Sequence, residues 1–507
     1  MSENEHSRVD RSTLVARLKS EPLWDLAVIG GGATGLGVAV DAALRGLKVV
    51  LLEADDFAKG SSSRATKLLH GGVRYLAMGQ LSLVREALHE RAVILGNAPS
   101  ISRPLSFVMP AYRWWEPFAL GLGLRFYEQL AGRHSLGATN RLSRKQLLAA
   151  LPQVKAEGLK GGVRYWDAQF DDAKLAIALA RSASRLGALT LNHFRVDSFV
   201  QQGGRVTGLR GTDTETGAPC EVQARCIVNA AGVWVDDLRQ QAAGPAGTPP
   251  RLKVSQGSHV VIDRDFWPSD EALLLPRTRD GRVLFAVPWQ GKVILGTTEQ
   301  PLEDRPTEPR PMAEEIDFIL SEVGRYLVRP PTRADIRSAW AGLRPLVQPS
   351  AAAGGTARIS REHAVWTDPS GLVCVAGGKW TTYRAMARDV LAHCIAEDRI
   401  PPGRDWRVER STEHLPLERD DNLLRTGIPG ADRLIAEGLS EQRVRFAVRH
   451  EFARKVEDVL ARRSRLLFLD ARAARAVAPA VADLLHAEGI LQTGLEDFMA
   501  ISEGYLP

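Results

Sequence analysis

Residues 26–56, LAVIGGGATGLGVAVDAALRGLKVVLLEADD, decide the fold. A short apolar run predicts a buried strand, and Gly30, Gly32 and Gly35 then match the pattern G-x-G-x-x-G that joins such a strand to a helix. A second apolar run follows and ends at Glu53. Because strand, glycine turn, helix, strand and terminal acid occur in register, the stretch predicts a Rossmann-like dinucleotide-binding unit in an α/β fold.

Each part of this pattern has a mechanical reason. Gly30 permits the tight turn, Gly32 lets a pyrophosphate approach the N–H groups at the helix N-terminus, and Gly35 lets helix and sheet pack closely. Glu53 is expected to accept hydrogen bonds from ribose hydroxyls, and its charge disfavours the 2′-phosphate of NADP. A purely structural turn is the alternative, and the choice between NAD and FAD depends on later residues.

The segment GSSSRATKLLHGGVRYL, residues 60–76, directly follows the second strand. Loops beyond the carboxyl ends of strands line the ligand crevice of an open α/β sheet, so this segment is expected near the reactive end of the cofactor. Its serines offer hydroxyl groups, Gly71 permits close backbone approach, and Arg74 offers a bidentate fork for an anion. A surface loop with incidental charges is the alternative.

This segment resembles a motif of the FAD-dependent glycerol-3-phosphate dehydrogenases, respiratory enzymes among the D-amino-acid-oxidase-like flavoproteins. Six further stretches agree with that family in order: EALHERAVILGNAP (86–99), IVNAAGVWVDDL (227–238), SQGSHVVI (255–262), ILGTTE (294–299), AGLRPL (341–346) and VAGGKWTTYRAMA (375–387). Departures are a Ser where relatives often have Thr in the Ser cluster, and Trp380 after the lysine of G-G-K. The chain shows no EF-hand pattern, which favours a bacterial-type enzyme.

The resemblance implies a Rossmann-like FAD-binding domain, an antiparallel-sheet substrate cap and a C-terminal helical domain. Beyond the glycine turn, it assigns cofactor contacts to Ser62, Ser63, Lys67, His70, Gly71, Gly232, Gly378, Lys379, Thr381 and Thr382. The two threonines are candidate caps of a helix whose N-terminus, with the charge of Lys379, would lie beside the flavin. An ordinary capped helix is the alternative.

The resemblance also assigns a substrate pocket, formed by Arg74, Tyr75, His259, Arg344, Arg361 and Lys379. A phosphate monoester carries nearly two negative charges, so several cations are expected around it, although each arginine taken singly suits a solvated surface equally well. Catalytic roles fall to His259, Arg344 and Lys379. His259 is the first candidate for the general base and His70 the second, and an arginine-rich pocket without a dedicated base is a third arrangement.

The expected function is oxidation of sn-glycerol 3-phosphate to dihydroxyacetone phosphate with FAD, followed by electron transfer to a membrane quinone. Three alternatives remain open. They are a glycerol-3-phosphate oxidase that uses dioxygen, an amine or amino-acid oxidase on the same fold, and a flavin-binding scaffold without turnover.

Composition sets the outer limits. The chain has 507 residues, more than the roughly 250–300 that one core organises, so at least two domains are expected. Lys and Arg exceed Asp and Glu by six, which suits anionic substrates or an anionic membrane surface and does not indicate nucleic acid. The four cysteines lack zinc-type spacing, and no metal site is predicted. Without a signal-peptide core or apolar span, we expect a cytoplasmic protein bound peripherally to the inner face of the cytoplasmic membrane.

The expected domains are an N-terminal extension (1–22), a discontinuous FAD-binding domain (23–100, 150–240 and 340–395), a substrate cap (101–149 and 245–340) and a C-terminal helical domain (400–507). In the last, Val448, Phe452, Val456 and Leu460 recur at helical spacing. The basic stretch 443–465 is expected to form a solvated face, with anionic lipid as the alternative. Residues 111–130 suit either a membrane interface or the buried cap. The oligomeric state is open, with a homodimer as one arrangement.

Overall fold

The structure, a computed structural model, describes residues 9–76, 79–244, 247–275, 278–279, 281–348, 363–401, 412–417, 428–430 and 433–506. Its helices are α1 Arg11–Ser20, α2 Ala33–Leu44, α3 Val73–Leu76, α4 Leu81–Asn97, α5 Glu116–Ala131, α6 Arg144–Ala150, α7 Asp172–Arg185, α8 Val235–Ala243, α9 Ala313–Gly324, α10 Tyr383–Ala396, α11 Glu441–His450, α12 Leu466–Leu469, α13 Ala471–Ala487 and α14 Leu495–Glu503.

The strands are β1 Trp24–Ile29, β2 Val49–Leu52, β3 Leu68–Leu69, β4 Ser102–Ala111, β5 Asn140–Leu142, β6 Gly161–Phe170, β7 Leu189–Leu191, β8 Phe194–Gln202, β9 Arg205–Asp213, β10 Pro219–Asn229, β11 Leu252–Asp263, β12 Ala272–Leu275, β13 Leu284–Trp289, β14 Lys292–Gly296, β15 Gln300–Leu302, β16 Ile336–Val347, β17 His363–Thr367, β18 Val373–Gly377, β19 Leu434–Ala436 and β20 Leu439–Ser440.

The first sheet has the strand order β17-β18-β10-β1-β2-β7, and β8 and β9 extend it as an antiparallel pair beside β10. The four neighbours from β10 to β7 run parallel. β2 is a fully buried apolar strand, and β1 is buried apart from Asp25, as the apolar runs in their sequence predict. The chain leaves β1 toward β2 on one side, while β10 pairs on the other, so the carboxyl end of β1 is the switch point where an open sheet binds its ligand.

The second sheet has ten strands in the order β15-β11-β14-β13-β12-β4-β6-β3, with β16 beside β11 and β5 beside β6. Its pairs are antiparallel apart from β12 with β4. The expected antiparallel cap is therefore confirmed. The strands β6 and β16 also belong to this sheet, although residues 161–170 and the start of 340–395 were assigned to the cofactor-binding segments. The domain boundaries themselves stay predictions.

The C-terminal region differs from its sequence pattern in two ways. α11 ends at His450, and Phe452 has a positive φ of 61°, so the apolar spacing through Val456 and Leu460 does not form one helix. The basic stretch is not a solvated face either, because Arg462, Arg463 and Arg465 are buried. Both expectations were wrong, since helical periodicity and charge counts do not reveal partners supplied by distant parts of the chain.

Distant partners of this region are Asp56 and His193, which follow strands β2 and β7 of the first sheet. Asp56, which follows β2, accepts hydrogen bonds from Arg462 and Arg463, and Arg462 also donates to Asp458 at 2.9 Å. His193 lies 2.9 Å from the same Asp458 carboxylate. Burial alone would raise the pKa of Asp458, but His193 and the two arginines hold it well below its ordinary value. The C-terminal region is thus joined to the β2 loop by a buried ionic network.

Helix α5 carries the segment whose environment the sequence left open. Trp114, just before the helix, is 76% exposed, and Phe118 and Leu122 are 62% and 74% exposed. Tyr127 on the opposite side is buried. The helix therefore packs by one face and leaves aromatic and aliphatic side chains uncovered on the other. Among the described residues, no helix has the length and apolar composition needed to cross a membrane.

The ionic network predicts a large loss of stability for Asp56→Asn. This change leaves two buried guanidinium groups without their shared carboxylate, which should lower the free energy of unfolding by about 3–5 kcal/mol. Urea unfolding of the purified protein measures it. The control is Asp197→Asn, since Asp197 pairs with the exposed Arg195 and should change little. Equal, small effects of both substitutions would contradict the account of the network.

Candidate active site

A cavity of about 1190 Å³ lies at the switch point of the first sheet and extends to the second. Its walls come from the glycine turn after β1, the segment 58–75, the loop after β10, β11, β16 and the turn after β18. These elements are far apart in sequence and meet only because the two sheets pack at this point.

The glycine turn has the backbone geometry that the sequence predicts. Gly30 has φ 107°, and a Cβ there would lie 2.6 Å from the carbonyl oxygen of Ala230. A Cβ on Gly35 would lie 1.9 Å from the carbonyl oxygen of Gly30. Gly32 precedes the first turn of α2 and has no capping side chain. The N-terminus of α2 therefore faces the cavity with backbone donors, the arrangement that binds a pyrophosphate.

Glu53 stands at the carboxyl end of β2 and lines the cavity. It accepts hydrogen bonds from the backbone N–H groups of Gly31 at 2.6 Å and Asp55 at 2.9 Å. Burial raises its pKa to about 7, although these two donors act in the opposite direction. Further donors at this carboxylate, such as ribose hydroxyls, would favour its ionised form.

Some residues of the Ser-rich segment line the cavity, and others are buried behind its wall. Ser62 lines the cavity and accepts a hydrogen bond from Ala33 N–H at 2.9 Å, so it fixes the segment to the start of α2. Ser63 and Lys67 lie behind it and are buried. Lys67 donates to the Ser63 carbonyl at 2.7 Å and pairs with Asp172 at 2.7 Å. The predicted cofactor contact of Lys67 is thus replaced by a buried ion pair.

Arg465 shares that ion pair. Its guanidinium donates to Asp172 at 3.1 Å and to the Ser63 carbonyl at 2.8 Å. Burial and the neighbouring charge of Arg465 lower the pKa of Lys67 to about 7, despite the attraction of Asp172. The Ser-rich segment is therefore held from behind by a residue of the C-terminal region.

The His-Gly-Gly turn contributes His70, Gly72 and Tyr75 to the cavity wall. Gly71 lies behind the wall, where its N–H donates to the hydroxyl of Tyr127 at 2.7 Å. A Cβ on Gly71 would lie 2.6 Å from that hydroxyl, so only glycine fits. The side chain of Arg74 and the whole of Arg361 lie outside the described residues, and their roles stay predictions.

The paired strands β11 and β16 present one face to the cavity. Gly257, His259, Gly342 and Arg344 lie on that face, because residues directly opposite in an antiparallel pair point to the same side. Arg344 donates to the Thr297 hydroxyl at 2.9 Å and to the Thr298 carbonyl at 3.2 Å. A Cβ on Gly257 would lie 2.1 Å from the Arg344 guanidinium. The glycine thus makes the space in which this guanidinium lies.

His259 is buried between an indole ring and a hydroxyl. Its ring stacks on Trp340 with centroids 4.0 Å apart, and its Nε2 lies 2.9 Å from Thr66 Oγ1. Burial, with the charges of Arg344 and Lys67, holds its pKa well below the ordinary value. This shift of the pKa favours the neutral ring of His259.

The turn after β18 supplies Gly378, Lys379 and Thr381, and the loop after β10 supplies Gly232. Lys379 Nζ lies 3.7 Å from the ring centroid of Tyr75, which is a cation–π contact across the cavity. Thr382 is not a side-chain cap of α10, because its hydroxyl donates to the Lys379 carbonyl at 3.3 Å. That capping expectation was wrong.

The cavity brings together most of the predicted residues: Gly30, Gly32, Glu53, Ser62, His70, Tyr75, Gly232, His259, Arg344, Gly378, Lys379 and Thr381. Gly35, Ser63, Lys67, Gly71 and Thr382 lie directly behind its wall. Thr66 and Trp340 were missed, although Thr66 lies within the segment 60–76 and Trp340 precedes AGLRPL by one residue. Their contact with His259 depends on the pairing of distant segments.

The residues present fit an extended dinucleotide. The N-terminus of α2 suits its pyrophosphate, and Glu53 suits its ribose. Glycines with positive φ at 232, 377 and 378 allow close backbone approach at the opposite end of the cavity.

Comparison with known proteins gives the same assignment. Residues 25–391 match the FAD-dependent oxidoreductase family, and residues 425–489 match the C-terminal domain of alpha-glycerophosphate oxidase. The chain is 37% identical to a mitochondrial glycerol-3-phosphate dehydrogenase of Macaca fascicularis, over 94% of this chain and 72% of that protein. Identity is 34% with the mitochondrial enzyme of Schizosaccharomyces pombe, over 94% and 85%. The glycerol-3-phosphate dehydrogenase of Bacillus halodurans, solved with FAD, superimposes with a TM-score of 0.74 at 28% identity, over 98% of both chains.

Glu53 predicts a pH-dependent affinity for FAD. Since the raised pKa of Glu53 lies near 7 and its ionised form is the better acceptor for ribose hydroxyls, FAD should bind apoprotein more tightly at pH 8 than at pH 6. Glu53→Gln should weaken binding about tenfold and remove this dependence. Flavin fluorescence quenching measures both. Asp25→Asn, at the opposite end of β1, is the control. A wild-type affinity that is the same at both pH values would contradict the prediction.

Proposed function

This chain belongs to the family of the FAD-dependent glycerol-3-phosphate dehydrogenases, and on that premise we propose that it oxidises sn-glycerol 3-phosphate to dihydroxyacetone phosphate and passes the electrons to a membrane quinone. One observation carries the proposal. The guanidinium of Arg344, the ammonium of Lys379 and the ring of His259 border the same cavity as the glycine turn.

FAD would be held by the N-terminus of α2, by Glu53, by Ser62 and by the turn at Gly378. When bound, it supplies the acceptor for the two electrons and one proton that leave C2 of the substrate. The neighbouring cations and the amides at the start of the turn before α10 supply positive potential at that end of the cavity.

The phosphate of the substrate fits the charge of Arg344 and Lys379. Arg344 is held by Thr297 and Thr298, so its planar fork is oriented before the substrate enters. A phosphate dianion prefers such a fork to a single point charge. An α-carboxylate carries only one charge, so a site with several cations favours the phosphate ester over an amino acid.

His259 is suited to accept the proton of the C2 hydroxyl. It is neutral because burial and nearby cations depress its pKa, and a bound phosphate dianion would offset those cations and raise its basicity. Thr66 and Trp340 fix the orientation of the ring. The base would thus become effective when the anionic substrate is bound.

The proposal predicts a phosphate-specific effect of Arg344→Lys. Losing the bidentate fork should raise the KM for glycerol 3-phosphate about tenfold to a hundredfold, with FAD retained. Turnover with a soluble dye acceptor measures it, with glycerol as a second substrate. Arg337→Lys is the matched control, since Arg337 lies on the same strand and pairs with Asp263 outside the cavity. Equal KM values for wild type and Arg344→Lys would overturn the assignment of the phosphate site.

We further propose that the exposed face of α5 docks on an anionic phospholipid surface. This face consists of Trp114, Trp115, Phe118, Leu122 and Phe126, which are exposed together. Arg113 and Arg125 are exposed beside them. An apolar face flanked by arginines matches the interface of an anionic bilayer, where aromatic rings enter and guanidinium groups reach the headgroups. It would place the protein where a lipid-soluble quinone is available.

The docking face predicts reduced lipid binding for the double substitution Phe118→Ser with Leu122→Ser. Losing two apolar side chains should weaken binding to phosphatidylglycerol vesicles about tenfold or more. Co-sedimentation at low and high salt measures it. Leu491→Ser is the control, because Leu491 is 88% exposed and lies outside α5. If both variants bind vesicles as the wild type does, the docking face is wrong.

A further inference from the structure

Tyr127 lies on the inner side of α5, behind the cavity wall. It is 2% exposed, and its hydroxyl donates to Asp167 Oδ1 at 2.9 Å while accepting from Gly71 N–H at 2.7 Å. The hydroxyl therefore bridges a helix, a strand and the His-Gly-Gly turn. Tyr127 itself does not line the cavity, whereas Asp167, which accepts its hydrogen bond, does.

Asp167, which accepts the hydrogen bond of the Tyr127 hydroxyl, is itself held in place. Asp167, on β6, accepts a second hydrogen bond from Arg91 on α4 at 2.6 Å, and both residues are only 1% exposed. Arg91 also donates to the His134 carbonyl at 3.0 Å. Asp167 is thus held between a guanidinium and a phenol, and Tyr127 has one orientation in which both of its hydrogen bonds form.

The donor of this bridge, the Gly71 N–H, belongs to the turn that borders the cavity. Gly71 stands between His70 and Gly72, which both line the cavity, and Tyr75 follows with Lys379 over its ring. Without the Tyr127 hydroxyl, the Gly71 N–H keeps only a long contact of 3.4 Å to Asp167. The Tyr127 hydroxyl is therefore the close hydrogen-bond partner of the Gly71 N–H.

From this geometry we propose that Tyr127 is a positioning residue, which fixes the turn at residues 70–72 relative to the rest of the cavity. This inference rests on the proposed function. The inference gives α5 two roles. Its outer face would dock on lipid, and its inner face would hold the turn. Tyr127 would act on the reaction through the two groups that its hydroxyl holds, the Gly71 N–H of the turn and the Asp167 carboxylate.

Tyr127→Phe tests the proposal in the FAD-loaded enzyme. Stopped-flow reduction of the flavin by glycerol 3-phosphate should slow about tenfold to a hundredfold, because small displacements of catalytic groups have effects of this size. FAD content and the half-saturating substrate concentration should stay close to wild type. The visible circular dichroism of the flavin should change, which a loss of global stability alone would not produce.

The matched control is Tyr112→Phe. The Tyr112 hydroxyl, just before α5, is buried without a hydrogen-bond partner in the described part of the chain, so its removal should leave the reduction rate unchanged. Asp167→Asn is the second variant, in case Tyr127→Phe loses FAD, and it should slow reduction with the same change in dichroism. Wild-type rate and dichroism in a folded Tyr127→Phe would overturn the proposal. Failure of the wild type to be reduced would instead overturn the proposed function.

Discussion

The cavity depends on buried ion pairs that hold a loop with little regular structure. Residues 53–72 supply much of the polar wall, yet they contain only a short turn and the two-residue strand β3. Asp56 at one end is bound by Arg462 and Arg463, and Lys67 at the other shares Asp172 with Arg465. A loop this polar cannot be ordered by apolar burial alone. Ion pairs that are shielded from water therefore hold it in place.

This arrangement explains why the C-terminal region belongs to the site without lining it. Its arginines pair with Asp56 and Asp172, and its Phe468 packs on Trp340, which in turn stacks on His259. Arg344, His259 and the glycine turn are each supplied by a different element. Their relative positions are set by the packing of the two sheets and the C-terminal region.

Local features of the site could be predicted from the sequence, and contacts between distant segments could not. Gly30, Gly35 and Glu53 were predictable because strand, turn and helix are contiguous and each glycine has a steric reason. The resemblance located Arg344 and Lys379. The burial of Arg462, Arg463 and Arg465 was not predictable, since it depends on Asp56 and Asp172 from far along the chain. For the same reason Lys67 was predicted to contact the cofactor, although it lies in a buried ion pair.

The central claim is that this protein oxidises a three-carbon phosphate ester in this cavity, with bound FAD as the electron acceptor. An anaerobic titration of the FAD-loaded protein tests it most directly, with the flavin absorbance followed as glycerol 3-phosphate, glycerol or a D-amino acid is added. The account predicts that the flavin band bleaches with glycerol 3-phosphate and persists with the other two compounds. A band that persists with glycerol 3-phosphate, in protein shown to contain FAD, would contradict it.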